Sequence, residues 1–97
     1  MFNNIRKLIS KFKKYSTIYE DFFSLVNFLN KNKIDTVLDI GANKGQYAQS
    51  LRRFGFKGRI ISFEPLNNEF NILKEKSKND PNWIVGEQIA LGNKKKN

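Results

Sequence analysis

"TVLDIGANKGQYAQSL", Thr36 to Leu51, sets an apolar run against a glycine-bearing turn and then a helical rhythm. Val37, Leu38 and Ile40 are the β-branched and aliphatic residues of a short buried strand, Thr36–Ile40. After Lys44 the period changes. Tyr47, Ala48, Leu51 and Phe54 recur at helical spacing, and Gly55 stands where a helix-ending glycine belongs. The spacing predicts a helix over Lys44–Phe54. Between strand and helix lies "DIGANKG", where Gly41 and Gly45 let the backbone turn sharply and approach a ligand closely.

The alternation continues downstream. "RIISFEP" reads as a strand, Arg59–Phe63, stopped by Pro65. Asn67 or Asn68 can cap a helix over Asn68–Lys78 that carries Phe70, Leu73 and Ser77 on one face. "NDPN" (Asn79–Asn82) is a turn by composition, and Trp83–Val85 begins a third strand, whose extension to Leu91 would have to pass Gly86. Strand, helix, strand, helix, strand predicts an α/β fold. Its three parallel strands take the spatial order 3-2-1, joined by right-handed crossover helices. Two helices are expected upstream. Phe2, Ile5, Ile9 and Phe12 form an apolar stripe over residues 2–14, with Arg6, Lys7, Lys11 and Lys13 largely on other faces. Ser16 or Thr17 can cap the second, whose Ile18, Phe22, Leu25, Val26 and Leu29 share a face. Residues 1–33 are thus an N-terminal helical segment and residues 34–97 the α/β unit.

At 97 residues the chain has room for one modest core. It contains no Cys and no His, which excludes disulfides, Cys/His zinc sites, thiol nucleophiles and histidine general bases. No apolar run approaches the ~18–20 residues of a membrane-spanning helix, and the first residues lack the uninterrupted apolar core of a signal peptide. The expectation is a soluble or peripheral protein of the cytoplasm with no metal site. The formal net charge of +9 invites a nucleic-acid or anionic-membrane partner. Lys, Asn, Ile and Phe are enriched together, however, as an AT-rich coding sequence produces, and selection for a basic surface does not explain Asn. The charge is a weak functional signal, and no nucleic-acid partner is expected. The stripe at 2–14 is narrow and has no Trp, so packing on its own domain is preferred over membrane-surface contact.

The turn after the first strand is where an open parallel sheet binds ligands. Gly41 and Gly45 are too close together for the G-x-x-x-x-G-K-[ST] phosphate loop, and Lys44 precedes the second glycine. The dinucleotide fingerprint G-x-G-x-x-G fails as well, with Asn43 in its middle-glycine place. Asp39 at the strand end would repel a pyrophosphate. A ligand pairing a cation with a carboxylate fits better, the cation at Asp39 and the carboxylate at the positive end of the following helix. S-adenosylmethionine has that pairing in its methionine part and carries no phosphate. Glu64 closes the second strand 23 positions after Gly41, near the ~20-residue interval at which an acidic residue meets a ribose diol.

With those residues in place, "VLDIGANKGQYAQSL", "GRIISFEPL" and "NDPNWIVGEQIALGN" resemble the FkbM family of S-adenosylmethionine-dependent methyltransferases, over roughly Ile34 to Asn93. The resemblance implies the N-terminal half of a class I methyltransferase fold, Rossmann-like, acting on hydroxyl groups of sugars or secondary metabolites, with a small-molecule or glycan acceptor. By matching position, Asp39, Gly41, Ala42, Asn43 and Gly45 form the cofactor loop, and Glu64 meets the ribose. Pro65 and Leu66 flank the adenine, with Gln88 to Ala90 near its edge. Enzymes of that family continue for well over another hundred residues. The closing "NKKKN" would be encoded by a run of adenines, so a truncated product, inactive alone, is expected. No residue is free to act as general base, since Asp39 and Glu64 are committed to the cofactor. The rival readings are an NAD-dependent oxidoreductase half-domain, opposed by Asn43 and Asp39, and a basic binding module. For the module, the bases of "RRFGFKGR" are partly explained by a helix C-terminus at Arg52 and Arg53.

Overall fold

The computed structural model of the chain describes residues 20–89. The stripe at 2–14, the capping Ser16 or Thr17, Ile18 and Ala90 lie outside the described residues. A helix, α1, occupies residues 20–31. It is followed by β1 (Thr36–Ile40), α2 (Gln46–Arg53), β2 (Arg59–Phe63), α3 (Asn67–Ser77) and β3 (Trp83–Val85). The strands form one parallel sheet in the order β1-β2-β3, with Asp39 opposite Ser62 and Ile60 opposite Trp83. Three helices and a three-stranded parallel sheet make an α/β arrangement compatible with one half of a Rossmann-like fold.

Each crossover steps the same way across the sheet, so right-handedness places α2 and α3 on the same face. Side chains alternate along a strand. Val37 and Asp39, Ile60 and Ser62, and Trp83 and Val85 therefore face the helices. There Ile60 and Trp83 join Ala48 and Leu51 of α2, Leu73 of α3, and Val26 and Leu29 of α1 in one buried core. Burying each of the larger aliphatic side chains stabilises by about 1.5–3 kcal/mol, and Leu51, Ile60 and Leu73 are wholly buried. α1 is seated on α2 by Phe22, whose ring lies 5.3 Å from that of Tyr47 and 6.0 Å, stacked, from that of Phe54.

The ends of α2 show how local sequence sets the crossovers. Gly55 (φ 98°) donates its N–H to Arg52 O and Phe56 donates to Leu51 O, the paired bonds of a Schellman motif. Phe56 and Leu51, the apolar pair of that motif, are both buried. Arg52 does more than answer the helix dipole. Its Nε donates to Asp80 Oδ2 at 2.8 Å and its Nη1 to Phe56 O at 2.8 Å, tying the end of α2 to the turn before β3. The guanidinium holds the Asp80 carboxyl below its ordinary value, chiefly through that hydrogen bond.

Both helices differ by a residue or two from the sequence reading: α2 ends at Arg53, not Phe54, and α3 runs Asn67–Ser77, not Asn68–Lys78. Helix α2 starts at Gln46 rather than Lys44, because the turn holds the chain in left-handed geometry as far as Gly45 (φ 90°). The N-cap of α3 is Leu66, with no side-chain cap. The Asn67 amide oxygen instead accepts from Gln88 Nε2 at 3.3 Å. Strand β3 ends at Val85, and Gly86 adds one last bond to Ser62 O.

Among the described residues, no helix covers the second face of the sheet. Leu38, Ile40 and Ile84 are 60%, 64% and 44% exposed there, with Ile61 and Phe63 half-buried between them. The edge of β1 is open too. Arg59 N–H donates to Asp35 O and Gly41 N–H to Phe63 O, so odd-numbered residues turn their backbone groups to β2. Thr36, Leu38 and Ile40 consequently turn theirs outward. Residues 20–89 carry ten Lys/Arg against nine Asp/Glu, so most of the net positive charge lies in the two terminal segments. The full chain is expected to self-associate as salt screens its charge over ~8–10 Å. Leu38→Lys, a charge set into the bare face and its edge, is expected to suppress that association in sedimentation velocity. Unchanged association would show that the contact lies elsewhere.

Candidate functional site

The turn between β1 and α2 is built from residues that tolerate left-handed backbone. Gly41, Asn43 and Gly45 have φ of 71°, 53° and 90°, and asparagine is among the few side chains at home there. At Gly45 space is also short, since a Cβ would stand 2.9 Å from the Trp83 ring. A turn of this kind points its N–H groups in several directions, and each has a partner. Gly41 and Ala42 both donate to Phe63 O, at 3.0 and 2.9 Å, and Gly45 donates to Ala42 O. Lys44 N–H reaches Gln46 Oε1 at 3.1 Å. Asn43 N–H donates to Glu64 Oε1 at 2.7 Å.

Glu64 is 5% exposed at the tip of β2. Its second oxygen accepts Leu66 N–H at 2.9 Å, so one carboxylate ties the turn after β1 to the start of α3. The sequence placed Glu64 at this tip as a ribose partner; the structure adds that both oxygens hold backbone. Pro65 and Leu66 follow it on the surface, and Gln88 Nε2 donates to Pro65 O at 3.1 Å.

Asp39 sits one strand away and is 8% exposed. Ser62 Oγ donates to Asp39 Oδ2 at 3.1 Å, and Trp83 Nε1 donates to Ser62 Oγ at 2.9 Å. Burial pushes the Asp39 carboxyl above its ordinary value; the Ser62 hydrogen bond opposes this and the negative Glu64 adds to it. Asp39, Gly41 and Ala42 line a cleft of about 710 Å³ with Phe22, Gln46 and Tyr47. The cleft runs along the open side of β1. Helix α2 meets it with an N-terminus that has no side-chain cap and no acidic residue in its first turn. The first intrahelical bond is Gln49 N–H to Gly45 O, which leaves the N–H groups of Gln46, Tyr47 and Ala48 ahead of the ladder.

Of the residues singled out by sequence, Asp39, Gly41 and Ala42 share the cleft. Asn43, Gly45, Glu64, Pro65, Leu66 and Gln88 lie outside its lining, Asn43 tied to Glu64 and Gln88 to Pro65 by hydrogen bonds. Phe22, Tyr47, Ser62 and Trp83 were missed. Ser62 alone left a signal, a polar residue in "RIISF" at a position where alternation with Ile60 calls for an apolar one. Among the described residues, no group of three or more Asp or Glu is placed to hold a metal, and no helix is long and apolar enough to cross a membrane. In comparisons with known proteins, no family model, no curated protein and no solved structure matches the chain.

The two carboxylates should respond oppositely to neutralisation. The raised value of Asp39 means that its folded form binds a proton more readily than the unfolded chain, so its ionisation lowers stability as pH rises above 3.8. Asp39→Asn is therefore expected to raise the urea midpoint at pH 7, with the gain shrinking as pH falls toward 3.8. Glu64→Gln keeps the shape but offers only one oxygen, so either Asn43 or Leu66 loses its acceptor, at a cost of about 1–3 kcal/mol. Unfolding curves in which Asp39→Asn destabilises, or Glu64→Gln is neutral, would contradict these roles.

Proposed function

We propose that the described unit is the cofactor-binding part of an S-adenosylmethionine-dependent methyltransferase of class I fold, similar to the FkbM family. The observation that carries this reading is the buried Asp39 carboxylate on the cleft wall beside the uncapped N-terminus of α2. A carboxylate and a row of free N–H groups within one cleft suit a zwitterion, the ammonium at Asp39 and the carboxylate at Gln46 and Tyr47. A phosphate would meet the negative Asp39 first.

The residues present fit that cofactor. Asp39 and the start of α2 would hold the methionine part, and the glycine turn would admit it closely. Glu64 fixes the turn and would meet the ribose, with Pro65, Leu66 and Gln88 on the adenine side, as the family resemblance implies. When bound, the cofactor supplies an electrophilic methyl group for transfer. The chain's own part is orientation: a buried carboxylate and fixed backbone donors set the cofactor's direction before an acceptor arrives, where positioning supplies much of the rate. The acceptor proposed is a hydroxyl of a sugar or a secondary metabolite, as the family resemblance implies. Neither carboxylate is free to serve as its general base.

Calorimetric titration tests the reading. S-adenosylhomocysteine is expected to bind and NAD to show no heat. Asp39→Asn removes a charged acceptor, which is worth about 1.5–3 kcal/mol, and should weaken binding accordingly although the variant is the more stable protein. Equal affinity in Asp39→Asn, or preference for NAD, rejects the proposal.

A further inference from the structure

Ser62 and Trp83 have no part in the reading above, and both are buried, at 0% and 6% exposure. We propose that they are positioning residues of the site: the Trp83 indole, through the Ser62 hydroxyl, fixes the Asp39 carboxylate while its ring backs the turn at Gly45. The inference rests on Asp39 being the group that meets the ligand's ammonium.

Donor chemistry sets the direction of the relay. An indole N–H can only donate, and a serine hydroxyl has a single proton. Ser62 accepts from Trp83 at 2.9 Å, so its own proton is directed to Asp39 Oδ2 at 3.1 Å. The relay crosses β3, β2 and β1 on the helix-covered face, and Asp39 at its end can only accept. Oδ2 is thereby anchored, which fixes the orientation of the whole carboxylate in a strand whose outer edge is open. The same indole touches the other half of the site. A Cβ on Gly45 would stand 2.9 Å from its Cζ2 and Cη2, so the ring fills the space behind the turn. One side chain thus sets the cationic-group partner and the glycine turn in a common frame.

Simple satisfaction of buried polar groups would also pair these atoms. The affinity of Ser62→Ala and its rescue in Ser62→Thr separate a positioning role from that, while the indole reports the charge state of Asp39. Of the titratable groups around Asp39, Glu64 lies at the tip of β2 and Tyr47 on α2. From α1 comes Phe22 and from β3 come Val85 and Trp83, none of which titrates. Trp83 is the chain's single tryptophan, so its indole resonance is unambiguous.

The test is an NMR titration of the ligand-free full chain, following the Asp39 carboxyl carbon and the Trp83 indole N–H together. One shared midpoint above 3.8 is expected. The indole step should vanish in Asp39→Asn and persist in Glu64→Gln. A flat indole resonance through the Asp39 titration, or a step that survives Asp39→Asn, overturns the relay. Ser62→Ala should raise the Asp39 midpoint and weaken S-adenosylhomocysteine binding roughly tenfold, and Ser62→Thr, which keeps the hydroxyl, should restore both. Equal affinity in Ser62→Ala overturns the positioning role. If Ser62→Ala does not fold, Trp83→Phe keeps a ring behind Gly45 and removes the N–H; an Asp39 midpoint unmoved in that variant counts against the relay. Absence of S-adenosylhomocysteine binding by the wild-type chain would overturn the cofactor assignment, while the ligand-free titration still decides the relay.

Discussion

The Glu64 carboxylate is the constraint on which the site depends. In a turn with left-handed residues at Gly41, Asn43 and Gly45, the Asn43 donor has no helix or ladder partner and is met by a side chain. Glu64 accepts Asn43 N–H on one oxygen and Leu66 N–H on the other, so the turn after β1 and the entry to α3 are held from a single point. Hydrogen bonds to an ionised acceptor are the strong kind. The paired bonds from Gly41 and Ala42 to Phe63 O complete the clamp, and the N-terminus of α2 is aimed into the cleft as a result.

Asp39 stands in contrast. Its burial near Glu64 disfavours its charge, and one hydroxyl only partly offsets this. Two neighbouring carboxylates of the same sheet thus differ in their effect: one holds backbone and stabilises, the other has its charge disfavoured by burial. Residues that lower stability cluster at functional sites, and on that ground Asp39, more than Glu64, marks the candidate site. The bare sheet face is a second departure from economy. Parallel sheets are ordinarily covered on both faces, and here Leu38, Ile40 and Ile84 meet solvent.

The strands were legible because their signal is local. The apolar runs at Val37–Ile40 and Ile60–Phe63, each closed by a turn or a proline, set both strand limits, and right-handed crossovers then fixed their order. Gly55 ended α2 as composition suggested. The cap of α3 was misread because Asn67 had a competitor no local rule contains: its oxygen is engaged by Gln88, 21 residues on. The same holds at the site. Asp39, the glycines and Glu64 stood out by spacing. The contacts among Trp83, Ser62 and Asp39 join residues at least 21 apart, and Phe22 reaches the cleft only because α1 packs on α2. Register created those contacts, and register is not written in any one segment.

The most direct measurement is an amide chemical-shift map of the labelled full chain during addition of S-adenosylhomocysteine. The account predicts the largest perturbations at Gly41, Ala42, Gln46 and Tyr47, around the cleft beside Asp39, with smaller ones at Leu66. A map centred on the Arg52–Asp80 corner of the molecule, or a spectrum unchanged at millimolar ligand, would contradict it.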